Sequence, residues 1–305
     1  MKVLVTGGAG FIGSHLAEGL VRRGHEVRVF DNLSTGSLDN LAPVRDAVEV
    51  VIGDLRDGEA VRRAVAGAEV VFHQAADPSV PRSISHPRDC YEINVLGTLT
   101  LLVAARDAGC RRVVFASTCA VYGNDPRQPK SEELPPAPES PYAASKLAGE
   151  ELCQVFTRVY GLETVALRYF NVYGPRQSPD GPYASVIPRF IADLKAGARP
   201  RVFGDGEQTR DFIFVGDVVE ANLRAATADE AVGEVVNVGS GRSTSLNTLL
   251  TVLAPLIGNT VEPIYEAERP GDVRHSLAET SKARRLLGFE AQTSLAEGLA
   301  QTVRG

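Results

Sequence analysis

The chain has no CxxC pair among its four cysteines and no HxxxH or HExxH among its five histidines. Metal-site spacing is therefore missing, and Cys90, Cys110, Cys119 and Cys153 read as reduced thiols rather than staples. It also lacks a basic run. With 32 Lys and Arg against 38 Asp and Glu, the formal net charge is −6. That balance argues against nucleic acid or an anionic membrane as partner. Any phosphate must be met by a few local arginines or by backbone amides. No apolar run approaches the roughly 18 residues of a membrane span. Met1 leads straight into VLVTGGAG, a strand and a turn, so the expectation is a cytoplasmic chain without a signal peptide. No repeat recurs at a period of about 20 to 50 residues.

What is present is alternation. KVLVT, EVRVF, VEVVIG, EVVFHQ, RRVVFAS and ETVALRYF are near-continuous apolar runs, the pattern of strands buried on both faces. Helical patterns lie between them. In FIGSHLAEGLVRRG, Ile12, Leu16 and Leu20 recur at helical spacing, Arg22 and Arg23 fall in the last turn, and Gly24 suits the position after it. The fold class expected is α/β: a Rossmann-type, doubly wound parallel sheet with right-handed crossovers. The pattern loosens near Phe170. Residues 1–169 read as a dinucleotide-binding domain to which segments near 211–240 return. Residues 170–305 read as mainly a smaller, mixed α/β C-terminal lobe that closes over a substrate.

The first chemical motif is TGGAGFIG. Gly7, Gly10 and Gly13 stand between a strand and a helix, where the backbone must turn tightly and approach a pyrophosphate. The helix start adds free N–H groups and the positive end of its dipole. Asp31, 18 residues beyond Gly13, ends the second strand. An acid there accepts from ribose hydroxyls and repels a 2′-phosphate, which favours NAD over NADP. Asp54 ends the third strand, in reach of an adenine or in a turn or cap.

The second motif is SPYAASK, which sets Tyr142 one helical turn before Lys146. The spacing alone is weak, and two solvated surface residues satisfy it equally. Its context adds weight: the helix follows FAST, whose end carries Ser117 and Thr118 at the carboxyl edge of a parallel sheet, where ligands sit. A phenol ionises near pH 10, too high for a base at neutral pH. A nearby ammonium and a cationic nicotinamide favour the phenolate. The expectation is that Tyr142 exchanges a hydroxyl proton, Lys146 and the ring lower its pKa, and Thr118 shares the proton.

TGGAGFIG, Asp31, FASTCAVYG, YAASK and LRYFNVYGPRQ together resemble the extended short-chain dehydrogenase/reductase family, over essentially the whole chain. Within it the chain looks most like UDP-hexose 4-epimerases. The resemblance implies an NAD-dependent enzyme that inverts C4 through a transient 4-keto sugar, with no net redox change. It implies cofactor contacts from Gly7, Gly10, Phe11, Ile12, Gly13, Asp31, Asn32, Asp54, Leu55, Gln74, Ala75, Ala76, Asn94, Thr118, Tyr142, Lys146 and Phe170. It implies UDP-sugar contacts from Ser79, Thr118, Tyr142, Asn171, Ser185, Val186, Val202, Phe203, Arg210, Arg269, Asp272 and Ser276. It further implies a homodimer formed by helices near 87–108 and 139–160.

The sequence departs from the dehydratases of that family, which carry an acid pair after the catalytic threonine; here Cys119 and Ala120 follow Thr118. Protonating a leaving hydroxyl needs an acid, so the departure favours epimerisation. Ser276 stands where some relatives carry a tyrosine beside the sugar C2 substituent, and SVPRSI (Ser79 to Ile84) resembles the enzymes that use N-acetylhexosamines. UDP-GlcNAc/UDP-GalNAc is therefore the expected pair, with UDP-Glc/UDP-Gal as a second. A UDP-glucuronic acid 4-epimerase and a 4,6-dehydratase-like enzyme share nearly every motif. A non-catalytic NAD(H)-sensing module shares the fold but has no need for Tyr142 and Lys146.

Overall fold

The computed structural model describes residues 1–179, 185–259, 262–268 and 273–305. Its centre is a seven-stranded parallel sheet. Six strands come in chain order: β1 (Lys2–Thr6), β2 (Glu26–Asp31), β3 (Val48–Ile52), β4 (Val70–His73), β5 (Arg112–Thr118) and β6 (Glu163–Tyr169). Then follow β7 (Asn171–Tyr173), β8 (Arg201–Phe203), β9 (Thr209–Arg210), β10 (Phe212–Phe214), β11 (Val235–Val238), β12 (Thr244–Ser245) and β13 (Ile264–Glu266). The large sheet runs β11-β6-β5-β4-β1-β2-β3. Its order reverses between β1 and β4, which opens a crevice at the carboxyl ends of those strands.

Both faces of the sheet are covered, which explains the unbroken apolar runs. Val3 and Val5 point into one core with Leu16 and Leu20. Leu4, between them, points into the other with Val61, Leu101 and Phe115. The two-residue period of a strand sends alternate side chains to opposite faces. The first helix, α1 (Phe11–Arg22), ends as its sequence suggests, with Gly24 at φ +76° closing onto the Val21 carbonyl at 2.9 Å.

Of the segment 211–240, Val235–Val238 joins the large sheet beside β6, and the helix Val215–Ala225 packs on α1. Phe212–Phe214 instead pairs with Asn171–Tyr173 in a two-stranded sheet of its own. A separate core holds the C-terminal lobe, with Phe190, Val202, Phe212, Leu249 and Leu299.

The helical pattern near 87–108 is not one regular helix. It runs as Pro87–Tyr91, a π turn at Glu92–Leu96, and Gly97–Asp107. The widened turn carries Asn94, whose side chain accepts from the Asp77 amide (2.8 Å) and donates to the Ser145 hydroxyl (3.0 Å). Among the described residues, no helix is long and apolar enough to cross a membrane.

Candidate active site

The glycine turn is tight enough to demand its residues. Gly7 has φ +67°, and a Cβ there would sit 2.7 Å from the Ala75 backbone. A Cβ on Gly13 would lie 2.1 Å from the Gly7 carbonyl oxygen. Gly10 caps α1 without a side chain, so the first-turn amides have no capping partner from that residue. Asp31 braces the turn: its carboxylate accepts from the Ala9 amide at 3.0 Å and the Leu33 amide at 2.8 Å. Its lone pairs are not exhausted by these two bonds.

From this turn a cavity of about 650 Å³ crosses the point where strand order reverses. Phe11, Ile12, Asn32, Asp54 and Leu55 line one end, and Ala75, Ala76, Tyr142 and Lys146 line the other. Asp54 is not idle there. The Arg56 guanidinium donates to it twice at 2.8 Å and the Asn32 amide once at 2.9 Å, so its carboxyl lies well below the usual range. Gln74 also lines the cavity, while its amide nitrogen is spent on Asn222 and Tyr169, each at 3.1 Å.

The helix Pro141–Tyr160 sets the reactive groups. Ser140 caps it by accepting from the Ala143 amide, and proline occupies its first position. The Tyr142 amide donates to the Ser83 hydroxyl at 3.1 Å, which pins the helix start to the helix Val80–Ser85. Thr118, the last residue of β5, neighbours the Tyr142 phenol and acts to lower its pKa. Lys146 is only 3% exposed. Its ammonium lies 4.6 Å from the centre of the Phe115 ring.

Burial dominates both ionisations. It pushes the Tyr142 phenol up to about 12, against the lowering by Thr118, and the nearby Cys119, Cys90 and Asp77 add to the rise. It pushes the Lys146 ammonium down to about 8, opposed by Cys153 and Glu150. The sequence reading expected a phenol lowered by its lysine. The chain's own groups do the reverse, because losing water costs the phenolate more than its neighbours return.

Ser117 lines the larger cavity beside Tyr142 and Lys146. Its hydroxyl donates to Glu150, which holds Arg168 by two bonds of 2.9 and 2.7 Å. Cys119 lies near Ser276, and burial pushes its thiol up to about 11.

A second cavity, about 220 Å³, gathers Asn171, Ser185, Val186, Phe203 and Arg210. Other implied contacts stand elsewhere. Val202 is fully buried in the lobe core. Val202 and Phe203 are strand neighbours, so their side chains face opposite sides, and only Phe203 reaches the cavity. Ser79 caps the helix Val80–Ser85. Phe170 packs with Val121, Tyr122 and Ala278. Asn94, Thr118, Phe170, Ser79 and Ser276 line neither cavity. Arg269 and Asp272 lie outside the described residues. Sequence reasoning missed Gln177, Arg189 and Gln208 in the second cavity and Arg82 in the first. None falls in a spacing that announces chemistry.

A glycine turn at a strand-order reversal, sharing one cavity with a tyrosine and a buried lysine, defines a dinucleotide-dependent enzyme of the short-chain class. The chain belongs to the NAD dependent epimerase/dehydratase family, whose profile matches residues 3–239, and NAD is its cofactor. A UDP-glucose 4-epimerase of Mycolicibacterium smegmatis is 44% identical, covering 99% of this chain and 97% of that one. The solved UDP-N-acetylglucosamine 4-epimerase of Methanobrevibacter ruminantium, in complex with UDP-N-acetylmuramic acid, superposes with a TM-score of 0.95. It is 39% identical over 99% of this chain and 97% of its own. The NAD complex of Thermus thermophilus UDP-glucose 4-epimerase gives a TM-score of 0.90 at 41% identity, covering 100% and 98%.

Proposed function

We propose that the chain interconverts the C4 epimers of a UDP-hexose through a 4-keto sugar. The observation that carries this reading is the Tyr142 phenol, one turn from the buried Lys146, in the cavity that holds the glycine turn. The 44% identical mycobacterial 4-epimerase supports it.

Gly7, Gly10, Gly13 and the first amides of α1 hold the pyrophosphate, and Asp31 takes the adenosine ribose hydroxyls. Bound NAD supplies a reversible hydride acceptor and a cationic ring. Tyr142 takes the sugar 4-hydroxyl proton, Thr118 shares that hydrogen bond, and Lys146 anchors the nicotinamide ribose. The phenol needs the positive ring because burial alone leaves it protonated near neutral pH. After the keto sugar has turned over, the phenol would return its proton and C4 would regain its hydride, so no net redox change results.

Cys119 and Ala120 support epimerisation over dehydration. A thiol pushed to about 11 keeps its proton at neutral pH and is a poor acid for a leaving hydroxyl. The motif position of the small Ser276, which lines neither cavity, is the argument for an N-acetylhexosamine substrate, with UDP-Glc/UDP-Gal as a second pair. A homodimer through the helices near 87–107 and Pro141–Tyr160 fits their exposed Leu96 (56%) and Val159 (65%). Light scattering tests it.

The test of the reaction is incubation with UDP-GlcNAc, UDP-Glc and UDP-GlcA, with separation of C4 isomers. Isomers of equal mass are expected; a UV-absorbing keto product means dehydration instead. Tyr142→Phe should lower kcat by about 10³-fold while NAD stays bound. Near-normal turnover in that variant removes Tyr142 as the base.

A further inference from the structure

SVPRSI carries one charged side chain, Arg82, to which the proposed reaction gives no task. Its guanidinium stands between two acids. Nη1 pairs with the Asp77 carboxylate, and Nη2 pairs with Asp89 at 3.0 Å. All three residues line the larger cavity, together with Tyr142 and Lys146.

The Asp77 carboxylate is a fixed feature of that wall. Asn94 grips the Asp77 main chain on both sides: it accepts from the amide at 2.8 Å and donates to the carbonyl at 3.1 Å. The carboxylate also accepts from the Ser79 amide at 3.3 Å, and Asp77 is only 8% exposed. The helix Val80–Ser85 ties this acid to the reactive helix. Ser79 caps it by accepting from the Arg82 amide at 3.2 Å. One residue on, the Ser83 hydroxyl accepts from the Tyr142 amide at 3.1 Å. Arg82 is thus the charged residue of the element that joins Asp77 to Tyr142.

A carboxylate held beside a phenol disfavours the phenolate, since like charges repel strongly where water is scarce. Asp77 does add to the rise of the Tyr142 phenol. The surrounding elements leave few other charges to weigh against it. Burial pushes the Cys90 and Cys119 thiols up, so both are uncharged at neutral pH. Glu92 and Glu150 are each held by an arginine, Arg88 and Arg168, and the Tyr122 hydroxyl is spent on Asn237. Farther along the cavity, Asp54 pairs with Arg56, and Asp31 holds the glycine turn. Among the described residues, Asp77 and Asp89 therefore stand against Arg82 and Lys146.

We propose that Arg82 is a positioning residue: by clamping Asp77, it presents a paired rather than a bare carboxylate to the cavity that Tyr142 shares. With that charge offset, Lys146 and the nicotinamide ring have less to overcome when the phenolate forms. The consequence for turnover rests on reading Tyr142 as the base. The effect on the phenol does not.

Phenolate absorbance of the NAD-loaded protein tests this, with the titration of Tyr142→Phe subtracted so that Tyr142 alone is read. Arg82→Met should move the Tyr142 transition to higher pH by about 0.5–1 unit, and Asp77→Asn should move it to lower pH by a similar amount. Arg82→Lys keeps the charge and should recover most of the first shift; recovery of none overturns the charge argument. Bound NAD and thermal unfolding check that each variant is folded, and Asp77→Asn decides the matter if Arg82→Met does not fold. An unmoved phenol, or two shifts of the same sign, overturns the proposal, because a merely loosened helix cannot move one phenol in opposite directions. The rising limb of the pH profile of kcat/KM should follow both shifts. Opposite shifts without any C4 isomerisation sink the epimerase reading alone. Isomerisation with an unmoved phenol sinks this inference alone.

Discussion

The two cavities differ in what makes their contacts. The larger one is built largely from backbone: a glycine turn, the start of α1 and the strand ends, with Asp31 already tied to backbone amides. The smaller one is walled by side chains, and three of its lining residues carry unpaired amide oxygens. Backbone recognition is rigid because the sheet enforces it. Side-chain recognition leaves polar atoms waiting, and such a site can change specificity without changing fold.

The contrast breaks most severely at Gly13. Gly13→Ala places a Cβ against the Gly7 carbonyl. Cofactor content and activity should fall below detection, read by NAD released on denaturation. Full NAD content in that variant would mean that the turn is not the rigid element argued here. The equivalent change in the smaller cavity, a single glutamine, should weaken only UDP-sugar binding.

A smaller effect is expected behind the cofactor wall. Glu150→Gln leaves the buried Arg168 guanidinium without its countercharge. Removing one partner of such a pair costs about 3–5 kcal/mol, measurable by chemical denaturation. A loss under 1 kcal/mol would show that water reaches the pair.

The smallest effect has the opposite sign. Lys146 ionises at about 8 in the folded protein against 10.5 ordinarily. Below pH 8 both states carry the charge, and burying it costs on the order of 3 kcal/mol. Between pH 8 and 10.5 the unfolded chain binds the extra proton, so this cost fades as pH rises. Lys146→Met should therefore raise Tm at pH 7, compared at matched cofactor content, and lose that advantage toward pH 10.5. A destabilised variant at pH 7 would show that the ammonium is held by more than the Phe115 ring and distant acids.

The sheet and the glycine turn were legible because each follows from a local rule. Unbroken valine runs mean two covered faces, and a turn under a pyrophosphate admits only glycine. Tyr142 and Lys146 were legible as a spacing, but their ionisation was not, since burial depends on Phe115 and on helices distant in sequence. Val202 and Phe203 show the limit inside one motif: strand alternation allows only one of them into the cavity. Which one it is depends on how β8 pairs with β13. Gln177, though it closes LRYFNVYGPRQ, and Gln208 drew no role, because an amide in a loop is ordinary until its oxygen is found without a donor. The π turn that brings Asn94 between Asp77 and Ser145 was equally silent.

Thr118 is held so that the hydrogen bond proposed for catalysis would have a polarity. Its hydroxyl oxygen already accepts from the Ala120 amide at 3.2 Å, at the head of a short turn. With a lone pair engaged there, its hydrogen is left to point outward, toward the phenol oxygen or a sugar oxygen. In the proposed reaction the threonine would donate that hydrogen to the negative charge forming on Tyr142, and a valine of the same shape would leave that charge unanswered.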